Sequence, residues 1–507
     1  MLNSQQLLQE YNQRMILQFQ DKINDGVLEI KDNQEITNLD FIKNLHVIKL
    51  TLVECYSIEH YIANNMITEL HIDKCGFQNV LGLQLNNLEI LSLKYNYMEL
   101  NTQQTRNMLI QMQNNSQFSK LKQLDLSELS VINWAYTDMQ LQGKIESLSF
   151  HKSLTNLVKL TLIGNRITDI DVLSTLINLE ELDISRNKGI NINPIKYLTK
   201  LTKLSLERCE LMNIQDISNL TRLIYLNLNE NSGIDISPLN HLTQLVHLDL
   251  FFCGLIDISP LQNLIKLDYL QLNLNSVNVK SLSSLINLVN LNISTNNVDD
   301  IIPLQYLDHL IILDISGNII KDFSILQKFI NLEELDMSQN SNADITPLQY
   351  LVKLRKLKLQ KCGLFDISAL RPLINMQKLI INNNIIYDIS PLSSLYNLIE
   401  LHLKDNQITN FSSLEQHSNF NQFQIEDEMT CQYKPDIEEY NIYDKIQRID
   451  LSTILLQNMS KQRKQINTRV NQMTKLICLQ NLYSNCLKFS SNIISVFKQL
   501  DIGESCQ

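Results

Sequence analysis

Aliphatic and polar positions along this chain fall into one frame, Leu-x-x-Leu-x-Leu-x-x-Asn. It starts at Leu157 and returns at Leu179, Leu201, Leu223, Leu245 and Leu267, then at Leu288, Leu310, Leu332, Leu354, Met376 and Leu398. Each start lies 22 residues after the last, apart from one step of 21 between Leu267 and Leu288. The Leu-x-Leu alternation predicts a short strand with one face buried. The ninth position carries Asn165, Asn187, Cys209, Asn231, Cys253, Asn275, Asn296, Asn318, Asn340, Cys362, Asn384 and Asn406. An inward-turned Asn amide can donate to carbonyls that a bending backbone leaves unpaired. Cysteine is small, tolerates burial and donates weakly, so the three cysteines read as members of the same ladder.

The second half of each unit is as regular. Asp235-Ile236-Ser237-Pro238-Leu239, Asp257-Ile258-Ser259-Pro260-Leu261 and Asp388-Ile389-Ser390-Pro391-Leu392 recur, with Asp344-Ile345-Thr346-Pro347-Leu348 as a variant. A hydroxyl residue before proline reads as a helix start, with the hydroxyl as cap. Few residues remain before the next strand, which predicts a 3₁₀ turn or a single helical turn. One unit buries about six aliphatics at ~1.5–3 kcal/mol each, against a backbone ordering cost of ~1–2 kcal/mol per residue. A lone unit is therefore unstable, and stacking is what makes it fold.

This pattern resembles the short, 22-residue class of leucine-rich repeats, the class of bacterial internalins and of the leucine-rich-repeat regulatory subunit of protein phosphatase-1. The resemblance implies an α/β solenoid: a curved parallel sheet on the concave face, short 3₁₀ or helical turns on the convex face, and a protein partner rather than a substrate.

Upstream the frame is ragged. Leu28-x-Ile30 ends at Asn33, Leu50-x-Leu52 at Cys55, Leu70-x-Ile72 at Cys75 and Leu91-x-Leu93 at Asn96, while Leu124-x-Leu126 ends at Leu129. The two long units there contain a helix-compatible stretch, Thr102 to Gln113, and the only tryptophan, Trp134. The expected organisation is an N-terminal helical cap over 1–26, with Leu8, Met15, Phe19 and Ile23 apolar, and a solenoid over 27–428. Within the solenoid, regular repeats cover 157–419 and irregular longer ones 97–156. A degenerate last strand follows at Phe420, Phe423 and Ile425, then a helical segment over 429–507. In that segment Ile442, Ile449, Leu456, Val470 and Ile477 share a heptad column that Arg463 interrupts. Met459, Ile466 and Met473 form a second column, so coiled-coil self-association and capping of the last repeat are both expected uses. The basic stretch from Gln457 also suits an anionic membrane or a calmodulin-like protein.

Composition narrows the function classes. Leu (87) and Ile (62) dominate the 507 residues, and Asn adds 58. The net charge of −11 disfavours a nucleic-acid partner. No run of apolar residues is long enough for a membrane helix, and Met1-Leu2-Asn3-Ser4 does not read as a secretory leader. Nine scattered cysteines fit a reducing compartment, so a cytoplasmic protein is expected. No nucleotide-binding, zinc-protease, hydrolase or kinase motif occurs, and no cofactor or metal is expected. The turn aspartates (Asp169, Asp235, Asp257, Asp300, Asp322, Asp344, Asp366, Asp388) are better explained by turn hydrogen bonds than by calcium. Cys431, Cys478, Cys486 and Cys506 lack zinc spacing.

Recognition then falls to the outward positions of the strands. Tyr225, His247 and Tyr269 share one column, Phe251 and Phe252 precede Cys253, and Leu274 follows one repeat later. Asp183 and Asp249 belong to an acidic surround with Glu180, Glu181, Glu207, Asp268, Asp314, Glu333, Glu334 and Asp336. Arg355, Lys356, Lys358, Lys361, Lys378 and Lys404 predict a basic flank. The function expected is a non-enzymatic scaffold or adaptor that holds a protein on this face. The alternatives are a regulatory subunit bound to a serine/threonine phosphatase catalytic subunit, and a cell-surface adhesin.

Overall fold

The computed structural model describes residues 4–58, 66–75, 85–95, 116–128, 154–414 and 417. These residues form one N-terminal helix, α1 (Ser4–Phe19), and seventeen strands. The first five strands are β1 (Val27–Lys31), β2 (Lys49–Val53), β3 (Glu69–Asp73), β4 (Ile90–Ser92) and β5 (Gln123–Asp125). The regular repeats supply β6 (Lys159–Thr161), β7 (Glu181–Asp183), β8 (Lys203–Ser205), β9 (Tyr225–Asn227), β10 (His247–Asp249) and β11 (Tyr269–Gln271). They continue with β12 (Asn290–Asn292), β13 (Ile312–Asp314), β14 (Glu334–Asp336), β15 (Lys356–Lys358), β16 (Lys378–Ile380) and β17 (Glu400–His402).

Every strand pairs in parallel with the next, so the sheet is open and its strand order is the chain order. The register equals the repeat step: Tyr225 faces His247, and His247 faces Tyr269. The long units do not interrupt the sheet, because β5 pairs with both β4 and β6. Asn96, Leu129, Trp134 and the 102–113 stretch lie outside the described residues. So do Phe420, Phe423, Ile425, the helical segment expected over 429–507 and its cysteines. By its internal contacts the chain divides into two units, 1–428 and 429–507.

The frame leucines are the interior. Leu223, Leu226 and Leu228 are buried, as are Leu245, Leu248 and Leu250 in the next repeat and Leu267, Leu270 and Leu272 after that. Helix α1 covers the first repeat. Met15 and Phe19 are buried, Phe19 stacks on Phe41 at 5.7 Å, and the Tyr11 hydroxyl donates to the Asn38 carbonyl at 3.1 Å. Leu8 is exposed, contrary to expectation, because the repeat meets the helix from Tyr11 onward.

The Asn ladder works as its chemistry demands. Asn231 Nδ2 donates to the carbonyls of Leu206 (2.9 Å) and Leu228 (2.8 Å), and its Oδ1 accepts from the amides of Cys209 (3.1 Å) and Leu211 (3.0 Å). Asn187, Asn275, Asn318 and Asn384 also bridge in this way. The cysteines keep the donor half: Cys209, Cys253 and Cys362 Sγ lie 3.4, 3.2 and 3.3 Å from carbonyls of the preceding repeat. Burial pushes their thiols up, to about 12 at Cys209 and about 11 at Cys253 and Cys362.

The convex turns are 3₁₀, each about one turn long, as at Ser237–His241 and Ser259–Asn263. Their caps differ from expectation. The residue preceding the turn is Ile236 or Ile258, and the hydroxyl of Ser237 or Ser259 accepts no capping bond. Instead Asp235 Oδ1 accepts from the Ser237 amide at 2.9 Å while the Ser237 hydroxyl donates to Asp235 Oδ2 at 3.0 Å. Asp257, Asp366 and Asp388 repeat this pair of bonds. The carboxylate is the stronger acceptor and takes the cap, leaving the hydroxyl to donate. That is the turn-bonding role expected of this Asp column.

A second ladder had not been anticipated. Asn178, Asn287, Asn331, Asn375 and Asn397 each stand directly before a frame Leu or Met. Their Nδ2 atoms donate at 2.7–3.0 Å to a carbonyl of the preceding repeat. It borders the sheet where the chain climbs from turn to strand.

Candidate functional site

The outward column of β9, β10 and β11 places three rings on adjacent strands. His247 lies 4.5 Å from Tyr225 and 3.8 Å from Tyr269, centroid to centroid, with interplanar angles of 26° and 7°. Parallel pairing at about 4.8 Å is close to aromatic stacking distance, so one ring per strand in one column must stack. Asp249, buried beside them, fixes the tips. Its Oδ2 accepts from the Tyr225 hydroxyl at 3.3 Å and lies 3.0 Å from His247 Nε2. A carboxylate only accepts, so Nε2 is the imidazole nitrogen that carries the proton. Gln271 Nε2 donates to the Tyr269 hydroxyl at 2.7 Å. Burial, then the negative charge of Asp249 and its hydrogen bond, pushes the Tyr225 phenol up to about 12. Burial likewise raises Tyr269.

Phe251 and Phe252 do not behave as an equal pair. Phe251 is half-buried, its amide donating to Asn229 Oδ1 at 2.7 Å, while Phe252 is 49% exposed. Their rings are tilted at 6.1 Å. Leu274, one rung along, is 41% exposed. Both exposed side chains stand on left-handed backbone, with φ of 52° at Phe252 and 56° at Leu274. Their column is left-handed throughout the described repeats, including Arg186, Arg208, Glu230, Thr295 and Gln339, with glycine at 164 and 317. Those two glycines were the sequence signal for it. A bulky residue there carries roughly 1–2 kcal/mol of steric cost, and its side chain is aimed outward.

The structure therefore joins Tyr225, His247, Tyr269 and Asp249, and sets Phe252 and Leu274 side by side at the C-terminal end of the same strands. Asp183 is elsewhere, on β7, three strands from Asp249. The basic flank is largely neutralised. Arg355 pairs with Glu333 (3.6 Å), Lys356 with Glu334 (2.6 Å), Lys358 with Asp336 (3.1 Å) and Lys378 with Glu400 (2.7 Å). On the acidic side Glu181 sits between Lys159 and Lys203, both at 3.0 Å, and Glu207 meets Arg186 at 3.3 Å. Among the described residues no three His, Cys, Asp or Glu side chains converge to hold a metal, and no helix is long and apolar enough to cross a membrane.

Known proteins share this architecture. The family model described as "Leucine Rich repeats (2 copies)" matches residues 155–197 and 308–350. The crystal structure of the internalin InlF of Listeria monocytogenes is 34% identical, covering 56% of this chain and 84% of that one, with a TM-score of 0.54. The chain belongs to the leucine-rich repeat family. Internalin C2 of the same bacterium is 32% identical over 36% of this leucine-rich repeat chain and 71% of its own, with a TM-score of 0.28. A leucine-rich repeat protein of Leptospira interrogans is 22% identical over 78% of this chain and 93% of its own, with a TM-score of 0.45. No curated protein matches. Leucine-rich repeat solenoids generally mediate protein–protein interaction, and the fold is typically a non-catalytic scaffold.

Proposed function

We propose that this protein is a non-catalytic scaffold that docks a protein partner on its concave face, over Tyr225, His247, Tyr269, Phe252 and Leu274. The observation that carries this reading is the Asp249-pinned stack. Its rings are ordered before any partner arrives, so docking there costs little side-chain entropy. The bulky outward residues on left-handed backbone support it, since Asn or Gly would suit the backbone better. The test compares capture of partners by wild type and by Phe252→Asp/Leu274→Asp, with circular dichroism to confirm equal folding. Equal retention by both would remove the reading.

The cytoplasm is the proposed compartment. It is supported by Cys55, Cys75, Cys209, Cys253 and Cys362, which are buried thiols outside any disulfide, and fractionation of intact cells tests it. The likeness to InlF favours a second reading, a cell-surface adhesin, which surface labelling of intact cells would separate from the first. A phosphatase regulatory subunit is a narrower form of the docking role, supported by repeat class and by aromatic and acidic residues on the concave face. Absence of any phosphatase catalytic subunit from the purified complex would eliminate it. Self-association through residues 429–507 is tested by sedimentation with and without that segment.

A further inference from the structure

Along the middle outward column, β7 to β13 carry Asp183, Ser205, Asn227, Asp249, Gln271, Asn292 and Asp314. The local task of this position is to accept from the amide two residues on. Asp183 Oδ1 accepts from Ser185 and Asp314 Oδ1 from Ser316, both at 3.0 Å. Asn227 accepts from Asn229 and Asn292 from Ser294, both at 2.9 Å. A neutral amide thus does the structural work as well as a carboxylate. The carboxylates have a cost that the amides do not: burial raises the acid groups of Asp183 and Asp314, so holding them charged is unfavourable.

Nor is a Lys or Arg in contact with these charges: Asp249 bonds His247, and Lys358 pairs with Asp336 and lowers Asp314 only from a distance. Among the described residues Asp183, Asp249 and Asp314 make no ion pair with Lys or Arg, whereas Glu181, Glu334, Asp336 and Glu400 each do. The outward positions of β9 to β13 and the residues next to them hold no Lys or Arg; the two lysines between Ile224 and Gly317, Lys266 and Lys280, lie off the strands. The middle of the concave face is therefore anionic, aromatic and free of Lys and Arg, between two flanks whose charges are largely paired. The three aspartates are also evenly placed, three strands apart. Three steps of about 4.8 Å make roughly 14 Å, which an extended chain rising ~3.3 Å per residue covers in four to five residues.

We infer that the partner presents a basic, extended segment that runs along the concave face across the strands and sets cationic side chains, four to five residues apart, on Asp183, Asp249 and Asp314. This rests on the docking role proposed above. Guanidinium groups suit best, because they meet a carboxylate through two parallel donors. Apolar residues between them lie over the ring edges of the stack.

The probe is a synthetic, proline-containing thirteen-residue peptide with three arginines four to five positions apart and leucines between. Its binding to the full chain is followed by fluorescence anisotropy. Its controls are an isomer with the arginines contiguous and a version with glutamates in their place. The spaced peptide should bind about tenfold more tightly than the isomer, and the glutamate version not at all. Asp183→Asn/Asp314→Asn should weaken it by about tenfold and flatten its salt dependence without lowering the melting temperature. No binding of the spaced peptide, equal affinity for the isomer, or unchanged affinity in the double variant would overturn the inference. If Phe252→Asn abolishes peptide binding while Asp183→Asn/Asp314→Asn leaves it intact, the docking face stands and the charge inference falls.

Discussion

Asn231→Cys looks harmless, because the same column already holds three cysteines, yet the structure makes it damaging. A thiol at 231 keeps a donor toward Leu206, as Cys253 Sγ does toward Leu228 at 3.2 Å. It is a weak substitute for Oδ1, which accepts from the amides of Cys209 and Leu211; Cys75 Sγ accepts from the Cys55 amide, at the longer distance of 3.4 Å. With the Leu211 amide left without an acceptor and the Cys209 amide held only by a sulfur, the loss should be about 1–3 kcal/mol. At the native cysteines one turn amide has another acceptor, because the preceding turn is different. Before Cys209 and Cys253 it reads Asn187-Lys188-Gly189-Ile190 and Asn231-Ser232-Gly233-Ile234, with each glycine in left-handed backbone. There the glycine amide turns to the cysteine carbonyl, at 3.0 Å for Gly189 and 2.8 Å for Gly233. Before Cys362, Asn342 takes the left-handed position and the Ala343 amide reaches the Cys362 carbonyl at 3.2 Å. Cysteine and turn are therefore one unit. Adding Glu210→Ser, Leu211→Gly and Met212→Ile to Asn231→Cys should recover most of the loss. Urea unfolding followed by circular dichroism measures each step as a midpoint shift at constant slope. An Asn231→Cys protein within about 0.5 kcal/mol of wild type, or no recovery on changing the turn, would refute the coupling.

Four further outcomes follow from the same geometry. Burial raises Asp183 and Asp314, so wild type is stabilised as pH falls through those raised values and loses that stabilisation as pH rises; asparagine does not titrate. Thermal melts of Asp183→Asn/Asp314→Asn should therefore match or exceed wild type at neutral pH, with the gap closing as pH falls into the ordinary aspartate range. Asp249→Asn removes the charge that helps hold the Tyr225 phenol near 12, so ultraviolet titration should show that tyrosine ionising at lower pH. Phe252→Asn puts a residue tolerant of φ 52° on the left-handed backbone and should leave the melting temperature equal or higher while partner binding drops at least about tenfold. Gly317→Ala brings a Cβ to 2.9 Å from Thr295 Oγ1 at φ 62°, so chemical denaturation should report a loss of about 1–2 kcal/mol.

The interior and the aromatic column were legible for one reason. In a solenoid with in-register parallel strands, residues one repeat apart in sequence are neighbours in space, so Tyr225, His247 and Tyr269 had to meet. The misreadings come from not applying that rule to charge. Arg355, Lys356 and Lys358 read as part of a basic flank, but Glu333 and Arg355, Glu334 and Lys356, and Asp336 and Lys358 are each 22 residues apart, and each pair is an ion pair. The left-handed column was harder, because it is a backbone property that only Gly164 and Gly317 betrayed, while Phe252 and Leu274 concealed it. The cysteine coupling is hidden for a related reason: it links a rung to the turn of the repeat before it, which no single column displays. Applied consistently, the repeat-step rule also isolates the charges that matter. One step either side, Asp183 meets Thr161 and Ser205, Asp249 meets Asn227 and Gln271, and Asp314 meets Asn292 and Asp336. None of these neighbours is a cation; the nearest Lys or Arg in this column is Lys358, two steps from Asp314, and it pairs with Asp336.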